Sequence, residues 1–370
     1  MSAMRIRWYG PIAVGTGYAE AGQGYLAALI KASVEVDIVP LFEGDTKHLG
    51  PQYEHLLEHT SKKPNDWATH VVVHNNPFAA CMTRESGILP PTSPGVKYVC
   101  VTTGETDRIN ENEASGLNRR FDHVIVPSEY NLRAFTKAGV KKLSKIPHTF
   151  DPKWWWGEDV DNQRSPFQFY SIFVWRQLKN PLGVLAPYLT AFNGHDRVNL
   201  TLVCTNPDLI EIEKLKRSIA EVKGNYSFAS YEIKPWIDPV GLRELHQRSH
   251  CYLSPHRGEG WGLGAFEAAI TGNTVIATYF SGTMDFLTDY PRHKPVRYTK
   301  VNVIPDKDFA TGIDETHQVA QPNLAEFTDH MVNVYKGGSW QRCIRHRKDF
   351  EAKFGHDAVG QQFKQVLEAL

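Results

Sequence analysis

The sequence predicts an α/β chain built as two doubly wound, Rossmann-like domains. Three observations carry that prediction. Short β-branched or aromatic runs alternate with helix-length segments along most of the chain, the pattern of parallel sheets with crossover helices. The length, 370 residues, exceeds one core of ordinary size and fits two. The alternation then breaks at residues 151–166 (DPKWWWGEDVDNQRSP), where two prolines, a Trp triplet and an acidic patch mark a connection rather than an element.

In order, the N-terminal domain (residues 1–150) has strand candidates at Ile6–Tyr9, Glu35–Val39, His70–His74, Lys97–Val101 and His123–Val126. One helix spans Tyr18–Lys31; another follows Ser128, an N-cap before Glu129, and runs through Ala138 to a stop at Gly139. After the connection at 151–166, the C-terminal domain (residues 167–340) resumes with strands at Phe167–Val174, Val198–Cys204, Tyr226–Tyr231, Cys251–Ser254 and Thr274–Thr278. From Asn323 the chain reads as helical throughout, and residues 341–370 are expected to pack back toward the N-terminal domain. Two such domains facing across a cleft would bind ligands at the carboxyl ends of their strands.

Composition excludes several classes. With 41% hydrophobic and 11% aromatic residues the chain packs a core, unlike a fibre or a solvated tail. Forty-one basic residues balance 41 acidic ones, so no global field draws it onto nucleic acid or an anionic membrane; such a contact would have to be local. No transmembrane run is visible, and Arg5 and Arg7 fall inside the first strand, where a signal peptide would be apolar. Five cysteines (Cys81, Cys100, Cys204, Cys251, Cys343), widely spaced and without a CxxC pair, predict reduced core thiols in a cytoplasmic protein.

The densest chemical signal is Ser254–Thr271, SPHRGEGWGLGAFEAAIT. A strand ending at Ser254 leads into a loop with Gly258, Gly260, Gly262 and Gly264, and a helix begins near Gly262. Glycines let backbone approach closely, and the unpaired N–H groups of a helix start favour an anion such as a diphosphate. Glu259 and Glu267 flank that position. Carboxylates repel phosphate, so their useful partners are hydroxyls: Glu267 would accept from a ribose, Glu259 from a sugar. A second element, FVWRQLKNP, sets Arg176 and Lys179 on a strand-to-helix loop at the same edge, where fixed cations stabilise a leaving diphosphate without a metal. A third, GPIAVGTGYAEAGQG at Gly10–Gly24, puts Glu20 where a dinucleotide fingerprint needs its last glycine, and Asp37 lies inside its strand rather than at its end. A loop closing over the ligand and a simple tight turn both fit it.

GEGWGLGAFEAAITGNTVIATYFSG resembles the Glu-x7-Glu region of glycosyltransferase family 4, retaining enzymes of GT-B architecture. In the same order, FDHVIVPSEYNLRAFTKAGV resembles the family's strand-Pro-Ser-helix segment, KIPHTFD its interdomain crossing, and FVWRQLKNP its basic donor-phosphate loop. The resemblance implies transfer of a hexose, glucose by default, from a nucleotide diphosphate sugar, with UDP the commonest carrier, to an acceptor hydroxyl with retention. It implies no cofactor and no metal. It assigns Glu267 to the ribose, Glu259 to the donor sugar, Gly262, Leu263, Gly264, Arg176 and Lys179 to the donor's diphosphate region, and Gly17 to donor binding, facing the diphosphate from the N-terminal domain. The family usually separates its Arg and Lys by more residues, so Lys179 transfers more directly than Arg176. Where many members carry a histidine, VTTGETDRI offers Gly104 and Glu105. Glu105 then positions or deprotonates the acceptor, or simply caps a turn. His74 ends a strand on the same side, and His148 in IPHTFD precedes Thr149 and Phe150 where a glycine is common.

Retention without an evident nucleophile implies front-face substitution. The Asp159–Asp161 and Asp306–Asp308 pairs match the short acidic motif of metal-dependent transferases, but neither follows an expected strand. His246 and His250, like His55 and His59, share an i,i+4 spacing without the other ligands of a zinc site. The acceptor is left open between a saccharide, a lipid-linked molecule, a small metabolite and hydroxymethylated DNA. Arg133, Lys137, Lys141, Lys142 and Lys145 make either a polyanion patch or a solvated helix face, and Trp154–Trp156 either stack on a ligand or pack the junction. A catalytically silent nucleotide-sugar binder is the alternative function; a nicotinamide oxidoreductase is disfavoured by the broken glycine fingerprint.

Overall fold

The computed structural model describes residues 4–61, 63–64, 66–86, 89, 94–156, 165–224, 226–304, 313–338 and 341–370. The chain divides into two compact units, one of Met1–Gly157, Asp238–Val240 and Arg347–Leu370, the other of Glu158–Ile237 and Gly241–His346.

The first unit holds a parallel sheet of β1 (Arg5–Gly10), β2 (Glu35–Pro40), β3 (His70–His74), β4 (Lys97–Val101), β5 (His123–Val126) and β6 (Leu143–Lys145) in the order β2-β1-β3-β4-β5-β6. Alternate residues feed two cores: Ile6, Trp8, Val72 and Val99 face one, and Tyr9, Val71, Val73 and Cys100 the other. Burial on both faces is why these strands read as continuous apolar runs. Arg7 interrupts β1, and register explains it: Asp37 lies directly opposite on β2, with Arg7 Nε 2.7 Å from Asp37 Oδ2, both side chains buried. Asp37 is thereby engaged inside the sheet.

The helical reading of everything after Asn323 needs correction. Helices span Leu324–Lys336, Arg347–Phe354 and His356–Glu368, while residues 341–346 are not helical. That stretch directs its polar groups at neighbouring carbonyls instead: Arg342 donates to Gln247 O, Cys343 N to Gly272 O, and His346 Nε2 to Ala269 O. The helices that join the first unit begin at Arg347. Helix His356–Glu368 packs on helix Gly17–Lys31 so tightly that a Cβ on Gly360 would lie 2.2 Å from the Ala28 carbonyl oxygen. Backbone cannot yield there, so Gly360→Val should cost about 1–3 kcal/mol and lower the melting temperature; an unchanged thermal transition would count against this helix pairing.

The crossing at His148–Phe150 is sewn to the same helices, Thr149 Oγ1 and Phe150 N both donating to Phe354 O. Within the expected connection a short helix, Pro152–Trp155, forms. Trp155 is buried, and Trp156 lies edge-on to Phe150 at 5.2 Å beneath the Arg347 guanidinium. Those two rings are packed within the unit.

The second unit has β7 (Phe167–Val174), β8 (Val198–Thr205), β9 (Ser230–Lys234), β10 (Cys251–Ser254), β11 (Thr274–Thr278) and β12 (His293–Val296), parallel in the order β12-β11-β10-β7-β8-β9. An antiparallel hairpin, β13 (Tyr298–Asn302) with β14 (Gln318–Pro322), departs from the parallel alternation. The strand expected at Tyr226–Tyr231 begins only at Ser230. Tyr226 and Phe228 instead pack edge to face at 5.2 Å, and Phe228 bridges to Asn193. The strand order reverses between β7 and β10, a topological switch point whose carboxyl end is where doubly wound sheets bind ligands.

Candidate functional site

Two loops leave that switch point. After β7, Arg176 is extended and exposed, Gln177–Lys179 make one tight turn, and Asn180 adopts a left-handed conformation (φ 54°) before Pro181 opens helix Pro181–Ala191. After β10 the loop runs from Pro255 to Gly262. The loops hold each other: Asn180 Nδ2 donates to Pro255 O at 2.9 Å and Arg257 N to Leu178 O at 2.8 Å. This stitching brings Lys179 Nζ within 2.7 Å of Glu259 Oε2, with 16% and 17% of the two side chains exposed.

The Glu259 loop is also tied to the end of β11. His256 Nε2 donates to Phe280 O, Ser281 Oγ accepts from Glu259 N, and Gly282 N donates to Glu259 O. Gly262 is left-handed (φ 88°), and a Cβ there would lie 2.6 Å from Thr283 Cγ2. It caps helix Leu263–Thr271 without a side-chain hydrogen bond. A Cβ on Gly264 would come within 2.4 Å of Tyr252 Oη, so glycine lets the helix start sit on that ring. The first turn of this helix carries no acidic residue, which leaves its N–H groups and positive dipole end available to an anion.

Glu267 lies in the same helix and is buried. Burial pushes its carboxyl up to about 8. Its Oε2 lies 3.1 Å from His246 Nε2, and burial pushes that imidazole down to about 3, so the ring is neutral at ordinary pH. His246 Nδ1 meets Tyr170 Oη at 2.8 Å, and Asn273 Nδ2 reaches both Tyr170 Oη (2.8 Å) and the His246 carbonyl (2.7 Å). Sequence reasoning missed His246, Tyr170 and Asn273 as parts of this site. The available signal was a polar His246 on the inward face of helix Pro239–Arg248.

The structure therefore brings Arg176, Lys179, Glu259, Gly262, Leu263, Gly264 and Glu267 to one strand end of the second unit. Gly17 and Glu105 belong to the first unit. Gly17 opens the helix after β1, capped by Thr16, and Glu105 follows β4, both at the carboxyl end of that sheet. Tyr18 connects them: its hydroxyl donates to Thr103 O at 3.4 Å, and burial, reinforced by the Glu105 charge, raises its phenol. His74 packs among Trp8, Tyr18 and Tyr25 and is pushed down to about 3 by burial; His148 lies on Tyr25 and shifts alike. Both are neutral core rings. His250 lies beyond the helix of His246 and stacks on Phe167, and His55 and His59 sit on a 3-10 run, so neither pair forms a helical i,i+4 face. Asp159, Asp161, Asp306 and Asp308 lie outside the described residues. In the basic cluster, Lys137 pairs with Asp107, and Lys145 lies 3.6 Å from Glu129.

Sucrose-phosphate synthase from Thermosynechococcus elongatus superposes with a TM-score of 0.66 at 14% identity, over 99% of this chain and 98% of that one. HepE from Anabaena, solved in complex with UDP and glucose, gives 0.62 at 12% identity over 99% and 100%. The fold is GT-B. An α-glucosyltransferase solved with UDP and a 13-mer DNA containing a central A:G mismatch shares it, with a TM-score of 0.60 at 10% identity over 99% and 100%. No protein-family model and no curated protein sequence matches the chain.

Proposed function

We propose that this GT-B chain is a retaining, metal-independent glycosyltransferase that moves a hexose, glucose by default, from a UDP-sugar to an acceptor hydroxyl. The observation that carries the reading is the convergence, at one switch point, of an uncapped helix start, the Lys179 ammonium and the buried Glu267 carboxyl. The helix N–H groups, Lys179 and Arg176 meet the diphosphate, Glu267 takes the ribose hydroxyls, and Glu259 orients the sugar. In the chemical step the bond from the anomeric carbon to the phosphate oxygen breaks, and the acceptor oxygen bonds on the same face. The acceptor's proton passes to the departing phosphate oxygen. The cations and amides stabilise the charge that collects there. Gly17 of the N-terminal unit serves the donor's diphosphate, and Glu105 serves the acceptor.

Solved GT-B structures hold UDP with glucose in one case and with DNA in another, which supports the donor assignment and motivates testing both acceptor types. The purified chain should bind UDP in calorimetry. Incubated with a panel of UDP-sugars and saccharide, lipid-linked and hydroxymethylated-DNA acceptors, it should release UDP and add one hexose mass to a product. Tight UDP binding without turnover on any pair would make it a silent nucleotide-sugar binder; absence of binding to any nucleoside diphosphate would end the donor-site reading.

A further inference from the structure

The hydrogen bonds behind Glu267 can be assigned proton by proton. Asn273 places one side-chain atom 2.7 Å from the His246 carbonyl, an acceptor only, so that atom is the amide nitrogen. Its other proton points at Tyr170 Oη, 2.8 Å away, so Tyr170 accepts there. The hydroxyl proton of Tyr170 then goes to its remaining polar neighbour, His246 Nδ1, at 2.8 Å. A neutral imidazole that accepts at Nδ1 carries its proton at Nε2. That proton is donated to Glu267 Oε2 at 3.1 Å. Every donor in the chain Asn273–Tyr170–His246–Glu267 is used in one direction, and the chain ends on the carboxyl group.

We propose that His246, fixed in one tautomer by Tyr170 and Asn273, is a positioning residue that anchors Glu267 Oε2 so that the rest of the carboxyl group accepts from a pair of ribose hydroxyls, making the site selective for ribonucleotides over 2′-deoxyribonucleotides. The inference rests on the donor-site reading above and adds to it a source of selectivity three residues deep. A bare carboxylate on a helix rotates among rotamers and accepts from any donor; one anchored at Oε2 presents its remaining lone pairs in a fixed plane, the geometry two adjacent hydroxyls require.

The test is the ratio of affinities for UDP and 2′-deoxy-UDP, measured by calorimetry on the full chain with folding checked by thermal melting. The wild-type protein should favour UDP by about tenfold or more. His246→Leu should reduce that ratio to within about twofold of unity, while His246→Gln, whose amide N–H occupies the place of Nε2, should restore part of it. A merely structural histidine would weaken both nucleotides alike and leave the ratio intact, and that result overturns the inference. Should His246→Leu fail to fold, Tyr170→Phe removes only the hydroxyl that locks the tautomer; a lowered ratio supports the relay and an unchanged one overturns it. Glu267→Ala separates the two levels: if it flattens the ratio and the His246 and Tyr170 variants do not, the relay is wrong and the ribose contact stands. If Glu267→Ala leaves the ratio unchanged, the ribose assignment itself is lost.

Discussion

Lys179→Ala will slow glycosyl transfer by about 10²- to 10³-fold, the effect typical of removing one fixed donor to developing negative charge. In the proposed reaction that charge forms beside Lys179. Its turn is fixed by the left-handed Asn180 and the bond to Pro255, and its ammonium is mostly withdrawn from water against Glu259. Exposed Arg176 at the start of the turn is free to be solvated and will not substitute. In the resting site Lys179 and Glu259 neutralise each other. An incoming diphosphate competes for the ammonium, while a sugar hydroxyl competes for the carboxylate, so one ligand relieves both groups together. Removing Lys179 alone leaves the mostly buried Glu259 without this counter-ion, so Lys179→Ala/Glu259→Gln is the needed comparison. Turnover by UDP release should be depressed in both variants; turnover within fivefold of wild type in the single variant would remove Lys179 from the leaving-group role.

Much of this architecture is legible in the sequence because both sheets are buried on two faces. Segments such as VVV at 71–73 and FQFY at 167–170 can satisfy their backbone and hide their side chains only inside a parallel sheet. The Ser254–Thr271 loop is legible for a different reason. Gly262 and Gly264 stand where Thr283 and Tyr252 leave no room for a Cβ, so steric demand is written directly into residue type. What sequence could not supply was juxtaposition. Tyr170 lies on β7 and His246 on the helix before β10; they meet because β10 pairs with β7, a neighbour relation that skips two strands of chain order. The Tyr226–Tyr231 error has a similar origin, since aromatic residues packing beside a sheet edge share the composition of a strand within it. Asp37 shows the converse: its place inside the strand argued against a ribose role, and cross-strand register with Arg7 supplies the positive reason for the charge.

Nucleotide binding will also release a proton, and Glu267→Gln will abolish that release. Burial raises the Glu267 carboxyl from 4.5 to about 8, while burial of His246, pushed down to about 3, keeps the facing ring neutral. Tyr170 and Tyr252, the other titratable rings packed there, are raised by burial and stay neutral as well. Burial therefore favours the protonated carboxyl in the ligand-free protein, and Oε2 faces the His246 N–H. A carboxyl raised on folding favours the native state fully below 4.5, and the contribution fades as pH climbs through about 8. Ribose hydroxyls reverse the balance, because two donors directed at the group need the ionised acceptor. Calorimetry at pH 7 in buffers of differing ionisation enthalpy should show about one proton released per UDP bound, with affinity rising toward pH 8 and levelling above it. Glu267→Gln should bind about 10²-fold more weakly, without proton release and with a flat profile over the same range. Proton uptake, or an affinity that falls as pH rises from 6 to 8, would place the titrating group elsewhere and detach Glu267 from the ribose.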